Sequence, residues 1–247
     1  MSNTFYLQIA GATARVDALF ESTPVYLGKY AAAAPADFTV TVTRESLQFE
    51  ADALYQEALE EGFRVRQFTK PFLERAAIQR AFAEFLFDRD ILLTHGSTVA
   101  VDGRAYLFAA RSGTGKSTHT RLWMENFEGR AQMVNDDKPF LRIAEDGVTA
   151  FGSPWSGKHG LDSNISAPLA GICLLERGLK NEIHPATPEE LLPMLRKDTY
   201  RPLDPEKEAR FLQSTERLAQ TVPLWRMHCT KDISAAKMAF DAMAKIL

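Results

Sequence analysis

Residues 105–120 read AYLFAARSGTGKSTHT, and this stretch decides the fold. The apolar run at residues 106–110 predicts a buried strand, and residues 117–127 are compatible with a helix. The glycine-rich segment therefore has a strand before it and a helix after it, which is the context of a phosphate-binding loop. We predict a P-loop of the Walker A kind that binds a nucleotide.

The residues of this loop have distinct predicted roles. Gly113 and Gly115 let the backbone approach an anion closely, and the amides at the start of the helix point at phosphate oxygens. Lys116 reaches the β- and γ-phosphates of ATP, and the Ser117 hydroxyl is a ligand for Mg²⁺. Ala110 stands where the usual pattern has its first glycine. The predicted ATP-binding set is Ser112, Gly113, Thr114, Gly115, Lys116, Ser117 and Thr118.

Composition and charge exclude several classes of protein. The chain is 45% hydrophobic and 25% charged, which is ordinary for a globular protein with a packed core. Its net charge of -3 gives no basic surface for nucleic acid or an anionic membrane. The longest uncharged apolar run, residues 165–175, is shorter than the roughly 20 residues of a membrane helix. We therefore expect neither nucleic acid nor a membrane as a partner.

The expected location is the cytoplasm. The N-terminus lacks the basic segment and apolar run of a secretory signal, so we expect none. Cys173 and Cys229 lie far apart in apolar surroundings, and neither belongs to a Cys-x-x-Cys motif. We predict that both are free thiols in a reducing compartment.

The chain is predicted to form two parts. Residues 1–70 read as a small N-terminal α+β lobe, in which residues 46–62 predict a strand followed by a short helix. Residues 71–247 read as the nucleotide-binding core, which begins with a helix at residues 72–88. Strands and helices alternate through the core, which predicts a sheet covered by helices.

A hairpin is predicted to deliver the chain into the phosphate loop. Residues 91–101 and 104–110 read as strands, and the Asp-Gly pair between them is a strong hairpin signal. His95 and Gly96 stand near the start of the first of these strands.

Two carboxylates follow the helix of the loop. Asp136 and Asp137 come after the apolar pair at residues 133–134, with Asn135 between, and Lys138 and Pro139 follow them. On their own they would read as a polar turn. Placed after a phosphate loop, they indicate a catalytic pair, because Mg-nucleotide chemistry needs one carboxylate near the metal and a base near the acceptor.

A later segment, residues 152–160, is rich in glycine and small hydroxyl side chains. It also carries Trp155, Ser156 and Lys158, and His159 follows them. Loops on rigid scaffolds often carry function, so this segment is predicted to lie near the phosphates or the acceptor. A plain surface loop is the alternative interpretation.

Together these motifs resemble the HPr kinase/phosphorylase and phosphoenolpyruvate carboxykinase superfamily, over about residues 91–152. The Ser-Gly-Thr-Gly-Lys sequence has the carboxykinase-like form of the loop. The His-Gly pair before the hairpin and the Asp-Asp pair after the loop helix are more similar to HPr kinase. The resemblance implies an α/β fold, with a mixed-sheet P-loop kinase core of this type and a small N-terminal lobe.

The resemblance also implies roles for residues and an activity. Asp136 would be the base that accepts the proton of a hydroxyl acceptor, with His95 beside it to modulate it, and Lys116 would act on the phosphates. Asp137 would lie near Mg²⁺, together with Ser117; the order of the two aspartates could be reversed. The implied function is an ATP-dependent kinase that phosphorylates a hydroxyl of a peptide, protein or small molecule.

Two other functions stay open at this point. The Glu-Ile-Arg-Gly-Leu-Gly signature of HPr kinase has only a faint echo in this chain, in Glu-Arg-Gly at residues 176–178. Together with Ala110, this leaves a nucleotide-binding regulatory protein with degenerate kinase activity as an alternative, and a carboxykinase-type enzyme as another. The sequence determines neither the acceptor nor the oligomeric state. His119, in the loop helix, is expected to be half-exposed.

Overall fold

The computed structural model describes residues 3–60, 62, 64, 67–111 and 113–244. Its chain divides into two compact units, Met1–Phe85 and Leu86–Leu247. The first unit is α+β, as predicted for the N-terminal part. Its elements are β1 (Asn3–Ile9), β2 (Ala12–Ala18), α1 (Ser22–Tyr26), β3 (Phe38–Thr41), α2 (Arg44–Glu60) and α3 (Lys70–Phe87).

The first unit is a three-stranded sheet with helices. β2 lies in the centre, antiparallel to β1 and parallel to β3. Phe38 of β3 stacks on Phe85 of α3, with ring centroids 3.9 Å apart, and meets Phe82 edge-on at 5.0 Å. The unit therefore includes almost all of α3. The sequence places the division between the two parts at residue 70, at the start of α3, and this stays a prediction. Contacts between residues divide the chain after Phe85, near the end of α3.

A buried carboxylate fixes α1 within this unit. Glu74 of α3 is fully buried and accepts hydrogen bonds from the backbone amides of Leu19 and Phe20 and from the Thr23 hydroxyl. A buried carboxylate is tolerated only when its oxygens are satisfied in this way. The contact links α3 to the chain that enters α1.

The strand predicted within residues 46–62 is wrong, because α2 is one continuous helix. The reason lies at its start. The Thr43 hydroxyl accepts from the Ser46 amide at 3.2 Å, and the Ser46 hydroxyl accepts from the Thr43 amide at 3.3 Å. This reciprocal pair is a capping box in which serine takes the usual place of glutamate or glutamine.

The second unit is a sheet with helices on both faces. Its strands are β4 (Ile91–Leu93), β5 (Ser97–Val101), β6 (Arg104–Ala109), β7 (Ala131–Asn135), β8 (Phe140–Ala144), β9 (Gly147–Phe151), β10 (Ser166–Arg177), β11 (Glu182–Pro185) and β12 (Leu224–Cys229). Its helices are α4 (Lys116–Asn126), α5 (Pro188–Asp198), α6 (Glu208–Thr221) and α7 (Ser234–Met243).

The sheet is mixed and curled, which confirms the predicted α/β class with a mixed sheet. Within the described residues the main strand order is β4-β8-β9-β10-β6-β5-β7, and β12 joins β10 and carries β11. β6, β10 and β12 run parallel to one another, whereas the other pairs are antiparallel. The carboxyl ends of the three parallel strands therefore meet at one edge of the sheet.

Alternate side chains of the central strands enter two different cores. Leu107 of β6 packs into a cluster with residues of α5 and α6 on one face. Phe108, its neighbour, packs into a cluster with residues of α4 and α7 on the other face. This period of two is the pattern of a sheet that is covered on both sides. α4, which follows the phosphate loop, is thus held on a fully packed face.

The hairpin prediction is confirmed, but the long strand before it is wrong. β5 and β6 pair around Asp102 and Gly103, whose φ values of 50° and 79° suit a two-residue hairpin turn. Residues 91–101 form two strands because the chain leaves the sheet between them: the amides of His95 and Gly96 donate to the carbonyls of Asp198 and Asp137 at 2.6 and 3.0 Å. β4 then pairs with β8, while β5 pairs with β6 and β7.

Both cysteines are free, as predicted. Cys173 is fully buried in the cluster beside α4 and α7, and Cys229 is partly buried at the end of β12. Burial raises the pKa of both thiols, so they stay protonated and unreactive at neutral pH. None of the helices in the described ranges combines the length and the apolar character needed to cross a membrane.

Candidate functional site

Three of the predicted motifs lie at one edge of the large sheet. β5 is antiparallel to both β6 and β7, so the start of β5 lies between the ends of its two neighbours. The phosphate loop follows β6, His95 and Gly96 precede β5, and Asp136 and Asp137 follow β7. Neighbouring strands lie about 4.8 Å apart, which puts the loop and the aspartates roughly 10 Å from each other at this edge.

The loop has the backbone that an anion site requires. Gly113 and Gly115 have φ values of 76° and 123°, a region that side-chain-bearing residues rarely adopt. α4 begins at Lys116, whose Nζ donates to the carbonyl of Ala110 at 3.1 Å. The lysine thus folds back over the loop. Ser112, also predicted to bind ATP, lies outside the described residues.

The donors of the loop fit a bound Mg-nucleotide. Thr114 lies within the loop and its amide donates to the carbonyl of Arg111 at 3.1 Å, which closes a tight turn. Ser117 and Thr118 lie in the first turn of α4 and are partly exposed. Hydroxyl and carboxylate oxygens suit Mg²⁺, and amides at a helix start suit phosphate. The residues present therefore match the predicted cofactor.

An arginine from another strand contacts the loop. Arg177 is the last residue of β10, and its Nη2 donates to the carbonyl of Gly113 at 2.7 Å. The contact arises because β10 runs parallel to β6, so both strands end at the same edge. Arg177 is exposed and adds a positive charge beside the loop.

His95 contacts the second aspartate, not the first. Its Nε2 lies 3.1 Å from Asp137 Oδ1, and both side chains are about one-third exposed. The amide of Gly96 donates to the Asp137 carbonyl at 3.0 Å. A Cβ on Gly96 would lie 3.1 Å from Leu107 Cδ2 and 3.3 Å from the carbonyl of Phe108. The close approach of β6 explains the glycine, and the predicted His95–Asp136 neighbourhood is corrected to His95–Asp137.

The surroundings of Asp137 favour its charged form. Burial opposes ionisation, but the hydrogen bond from His95 and the charges of Lys138 and Lys116 outweigh it, so the pKa lies below its ordinary value. Lys116 acts on this carboxylate from the phosphate loop. The carboxylate is therefore ionised at neutral pH.

The surroundings of Asp136 have the opposite effect. Asp136 is 2% exposed, its Oδ1 accepts from the Gly157 amide at 2.6 Å, and its Oδ2 has no hydrogen-bond partner among the described residues. Burial raises the pKa of Asp136, the Gly157 amide opposes this, and the charge of Asp137 adds to it. Two adjacent carboxyl groups are thus driven apart in pKa, a pattern found in acid–base pairs.

Asn135 ties the aspartates to the following segment. Its Oδ1 accepts from the amides of Asp137 and Lys138 at 2.7 and 2.5 Å. Its Nδ2 donates to the carbonyl of Ser153 at 2.8 Å, and the Ser153 hydroxyl donates to the carbonyl of Lys138 at 2.6 Å. The turn that carries the aspartates and the segment beyond β9 therefore form one hydrogen-bonded body.

The segment predicted to be functional, residues 152–160, covers Asp136. Trp155 is buried, whereas Lys158 and His159 are exposed near the end of the segment. His159 lowers the pKa of Asp136, against the effect of burial. The segment thus lies over one of the two candidate catalytic carboxylates, and its part in binding an acceptor stays a prediction.

Sequence reasoning missed Asp198, the last residue of α5. Its carbonyl accepts from the amide of His95 at 2.6 Å, which places α5 against the site. Burial raises the pKa of its carboxyl group, and nearby basic side chains, Lys116, Lys138 and Lys197 among them, oppose the rise. Asp198 belongs to no recognisable motif, so no signal in the sequence could have found it.

His119 is buried, which corrects the expectation of a half-exposed residue. It is 2% exposed, and its ring meets Phe108 edge-on at 4.6 Å. Its Nε2 accepts from Trp123 Nε1 at 3.1 Å. Burial lowers the pKa of His119 to about 4. The imidazole is therefore neutral at physiological pH and acts as part of the packing under the phosphate loop.

Known proteins resemble the chain at the level of the fold alone. No family model matches the chain, and no curated protein matches it. Among solved structures, the chain is similar to the Hpr(Ser) kinase/phosphatase from Coxiella burnetii. The match covers 62% of this chain and 97% of that chain. The identity is 13% and the TM-score is 0.34. This is a weak link at the level of the fold, and no activity is carried over from it.

Proposed function

We propose that the chain is a phosphotransferase that binds Mg-ATP and moves the γ-phosphate to a hydroxyl of a peptide, protein or small molecule. The observation that carries the proposal is the meeting of the phosphate loop and the Asp136–Asp137 pair at one sheet edge. Phosphoryl transfer needs a phosphate cradle, a carboxylate for the metal and a base near the acceptor. This edge supplies a candidate for each.

On the phosphate side, the backbone amides of the loop and the start of α4 would hold the phosphate oxygens. Lys116 would leave the Ala110 carbonyl and turn to the β- and γ-phosphates. Ser117 and Asp137 would hold Mg²⁺, which when bound neutralises charge on the phosphate oxygens. The low pKa of Asp137 supports this role, because a metal ligand must be ionised.

On the acceptor side, Asp136 would take the proton of the acceptor hydroxyl while the hydroxyl oxygen bonds to the γ-phosphorus. The bond between the γ-phosphorus and the bridging oxygen breaks, and ADP leaves with that oxygen. The raised pKa of Asp136 supports its use as a base, since a group that binds protons more strongly is the better acceptor. The 152–160 segment would have to move before an acceptor could reach it.

The reverse assignment has its own support. Asp137 is more exposed than Asp136 and is paired with His95, so it is open to an acceptor hydroxyl as the structure stands. Substitution separates the two assignments. Replacing the base by asparagine removes turnover, by about 10² to 10⁴-fold, and leaves nucleotide affinity nearly unchanged. Replacing the metal ligand weakens the Mg²⁺ dependence of nucleotide binding as well.

The test combines binding and product formation. Wild type, Lys116→Ala, Asp136→Asn and Asp137→Asn are compared, with Asp146→Asn in the exposed β8–β9 turn as the matched control. ATP at about 100 times its dissociation constant stabilises a protein by roughly 2.7 kcal/mol, and Lys116→Ala should lose that gain. Phosphorylated product is identified by mass spectrometry. An unchanged ATP-induced stabilisation in Lys116→Ala would remove the loop from the site.

A nucleotide-binding regulatory protein is the second candidate. The observation that favours it is the enclosure of Asp136 beneath Gly157, which leaves this carboxylate 2% exposed. A regulatory protein would bind ATP through Lys116 and yield no phosphorylated product with any hydroxyl acceptor. Phosphorylated product that disappears in Lys116→Ala would contradict this alternative.

A further inference from the structure

β10 is longer than its neighbour β6 and continues past it, beside the phosphate loop. The last paired residues of the two strands are Leu174 of β10 and Ala109 of β6. β10 goes on from Leu174 to Arg177, a distance of roughly 10 Å at the usual rise per residue of a strand. The end of β10 therefore lies next to the loop that follows β6.

The backbone at the end of β10 is fixed by its other neighbour. β12 pairs with β10 as far as Arg177, which lies opposite Cys229, and the Gly178 amide donates to the Cys229 carbonyl at 3.1 Å. A Cβ on Gly178 would lie 2.9 Å from His228 Cβ and 2.9 Å from the Lys180 carbonyl oxygen, so the turn after the strand is tight. The Arg177 side chain thus starts from a rigid base.

The guanidinium of Arg177 is only partly used within the protein. Its Nη2 donates to the Gly113 carbonyl at 2.7 Å. A guanidinium carries five N–H donors, and among the described residues the Gly113 carbonyl is the one acceptor that Arg177 has. Within the same residues no carboxylate pairs with it, and the side chain is exposed. Arg177 therefore keeps donors and a positive charge for a ligand of the loop.

Arg177 and the two aspartates lie on opposite sides of the loop. In the sheet, β10 is next to β6 on one side, whereas β5 and then β7 follow on the other. Asp136 and Asp137 come after β7, and Arg177 ends β10. Three strand spacings separate β7 from β10, which is roughly 14 Å. A nucleotide with its γ-phosphate toward the aspartates would therefore have its nucleoside end toward Arg177.

We propose that Arg177 is a nucleotide-binding residue that contacts the α-phosphate and the ribose, at the end of the nucleotide remote from the reacting phosphate. The proposal rests on the proposed function, since it requires that the loop binds a nucleotide. One donor of Arg177 holds the loop through the Gly113 carbonyl. The remaining donors bond to phosphate and ribose oxygens, which are acceptors suited to a planar guanidinium.

This placement predicts equal effects on ATP and ADP. The α-phosphate and the ribose are the same in both nucleotides, so Arg177→Ala should weaken both by one common factor. That factor is about tenfold for a lost hydrogen bond to a charged group. KM for ATP should rise, whereas kcat should stay within about twofold of wild type. A residue at the γ-phosphate would instead weaken ATP more than ADP and lower kcat.

The first experiment examines the loop without nucleotide. Hydrogen exchange of the backbone amides in residues 113–117 is followed by mass spectrometry in wild type, Arg177→Ala and Arg104→Ala. Arg104 is the matched control, an exposed arginine at the opposite end of β6. Exchange should be faster, by about threefold, in Arg177→Ala alone, because a bond that holds the loop is lost. Equal rates in wild type and Arg177→Ala would overturn the role of Arg177 in holding the loop.

The second experiment measures affinities for Mg-ADP and for a non-hydrolysable ATP analogue by calorimetry, together with melting temperatures. Arg177→Ala should melt like wild type because the side chain is exposed, and Arg177→Lys, which keeps the charge but not the fork of donors, should lose less affinity. Unchanged affinities in Arg177→Ala, or a greater loss for the ATP analogue than for ADP, would overturn the proposal for Arg177 alone. Wild type that binds neither nucleotide would instead refute the proposed phosphotransferase, and the role of Arg177 with it.

Discussion

Acid should destabilise the second unit through His119, a histidine that lies one turn into α4 beneath the phosphate loop. Burial holds its pKa at about 4, against an ordinary value of 6.5. Protonation has to occur at Nε2, which already accepts from Trp123 Nε1 at 3.1 Å. The charged form is therefore excluded from the folded state by both burial and the loss of that bond.

The sign and size follow from linkage. Between pH 6.5 and pH 4 the unfolded chain binds a proton at His119 and the folded chain does not. The stability due to neutral His119 is fully present above pH 6.5 and is lost as the pH falls toward 4. Each unit of pKa difference is worth about 1.4 kcal/mol, so the loss reaches about 2 kcal/mol at pH 5 and about 3 kcal/mol below pH 4.

Tryptophan fluorescence in urea is the suitable assay. All three tryptophans lie in the second unit, so the signal reports the unit that holds His119. The free energy of unfolding is measured at pH 7.5 and pH 5 for wild type and His119→Gln, whose amide can accept from Trp123. Carboxylates titrate in both proteins, so the difference between them isolates the histidine. Wild type should lose about 2 kcal/mol more than the variant.

A control and a direct measurement make the test decisive. His228, a partly exposed histidine beside Glu176, is replaced by glutamine in parallel. The change in unfolding free energy between the two pH values is then compared for the two variants, which separates the effect of the buried histidine from that of replacing any histidine. The reasoning is refuted if His119→Gln and wild type lose equal stability, or if NMR titration places the pKa of His119 above 6.

Three further substitutions test other parts of the structure. Gly96→Ala should lower the free energy of unfolding by about 1 to 3 kcal/mol and should lower turnover, because its Cβ would press on β6 and displace His95. Denaturant unfolding measures the stability, and product formation measures the turnover. Gly152→Ala should prevent stable folding of the second unit, since its Cβ would lie 1.8 Å from a backbone oxygen. The control is Gly28→Ala, whose Cβ would meet nothing within 4 Å and which should leave the melting temperature unchanged. Thermal melting of both variants measures this. Glu74→Gln should lower the free energy of unfolding by about 1 to 3 kcal/mol, because an amide nitrogen replaces one of the two accepting oxygens. Unfolding is followed by circular dichroism. An equal loss in Glu57→Gln, at an exposed residue, would contradict the role of the Glu74 carboxylate.

The elements predicted well from sequence are those whose signals are local. The Asp-Gly turn between β5 and β6 depends on two residues that accept positive φ, and the sequence shows both. The loop before α4 likewise needs glycines at positions that follow directly from its pattern. For the same reason the hairpin turn, β6 and the start of α4 were predicted within a residue or two, whereas the first hairpin strand was predicted from residue 91 and begins at Ser97.

The features that sequence reasoning missed depend on distant partners. Residues 94–96 leave the sheet because they bond to residues 137–139 and 198, and an apolar run cannot reveal such partners. The same holds for Asp198, which α5 brings to the site, and for the Gly157 amide on Asp136. The start of α2 is different: the Thr43–Ser46 capping box is local, and its serine variant was overlooked.

Because β5 lies between β6 and β7, the groups at this edge come from neighbouring parts of the chain. This sets the order in which the site can assemble during synthesis. The phosphate loop, His95 and both aspartates belong to one continuous stretch, so a ribosome delivers them together and their contacts close short loops. The remaining groups arrive later: Gly157 with the segment after β9, Arg177 with β10, and Asp198 with α5. A nascent chain would thus carry the phosphate-binding elements before it carries the end of α5, where the Asp198 carbonyl accepts from the His95 amide.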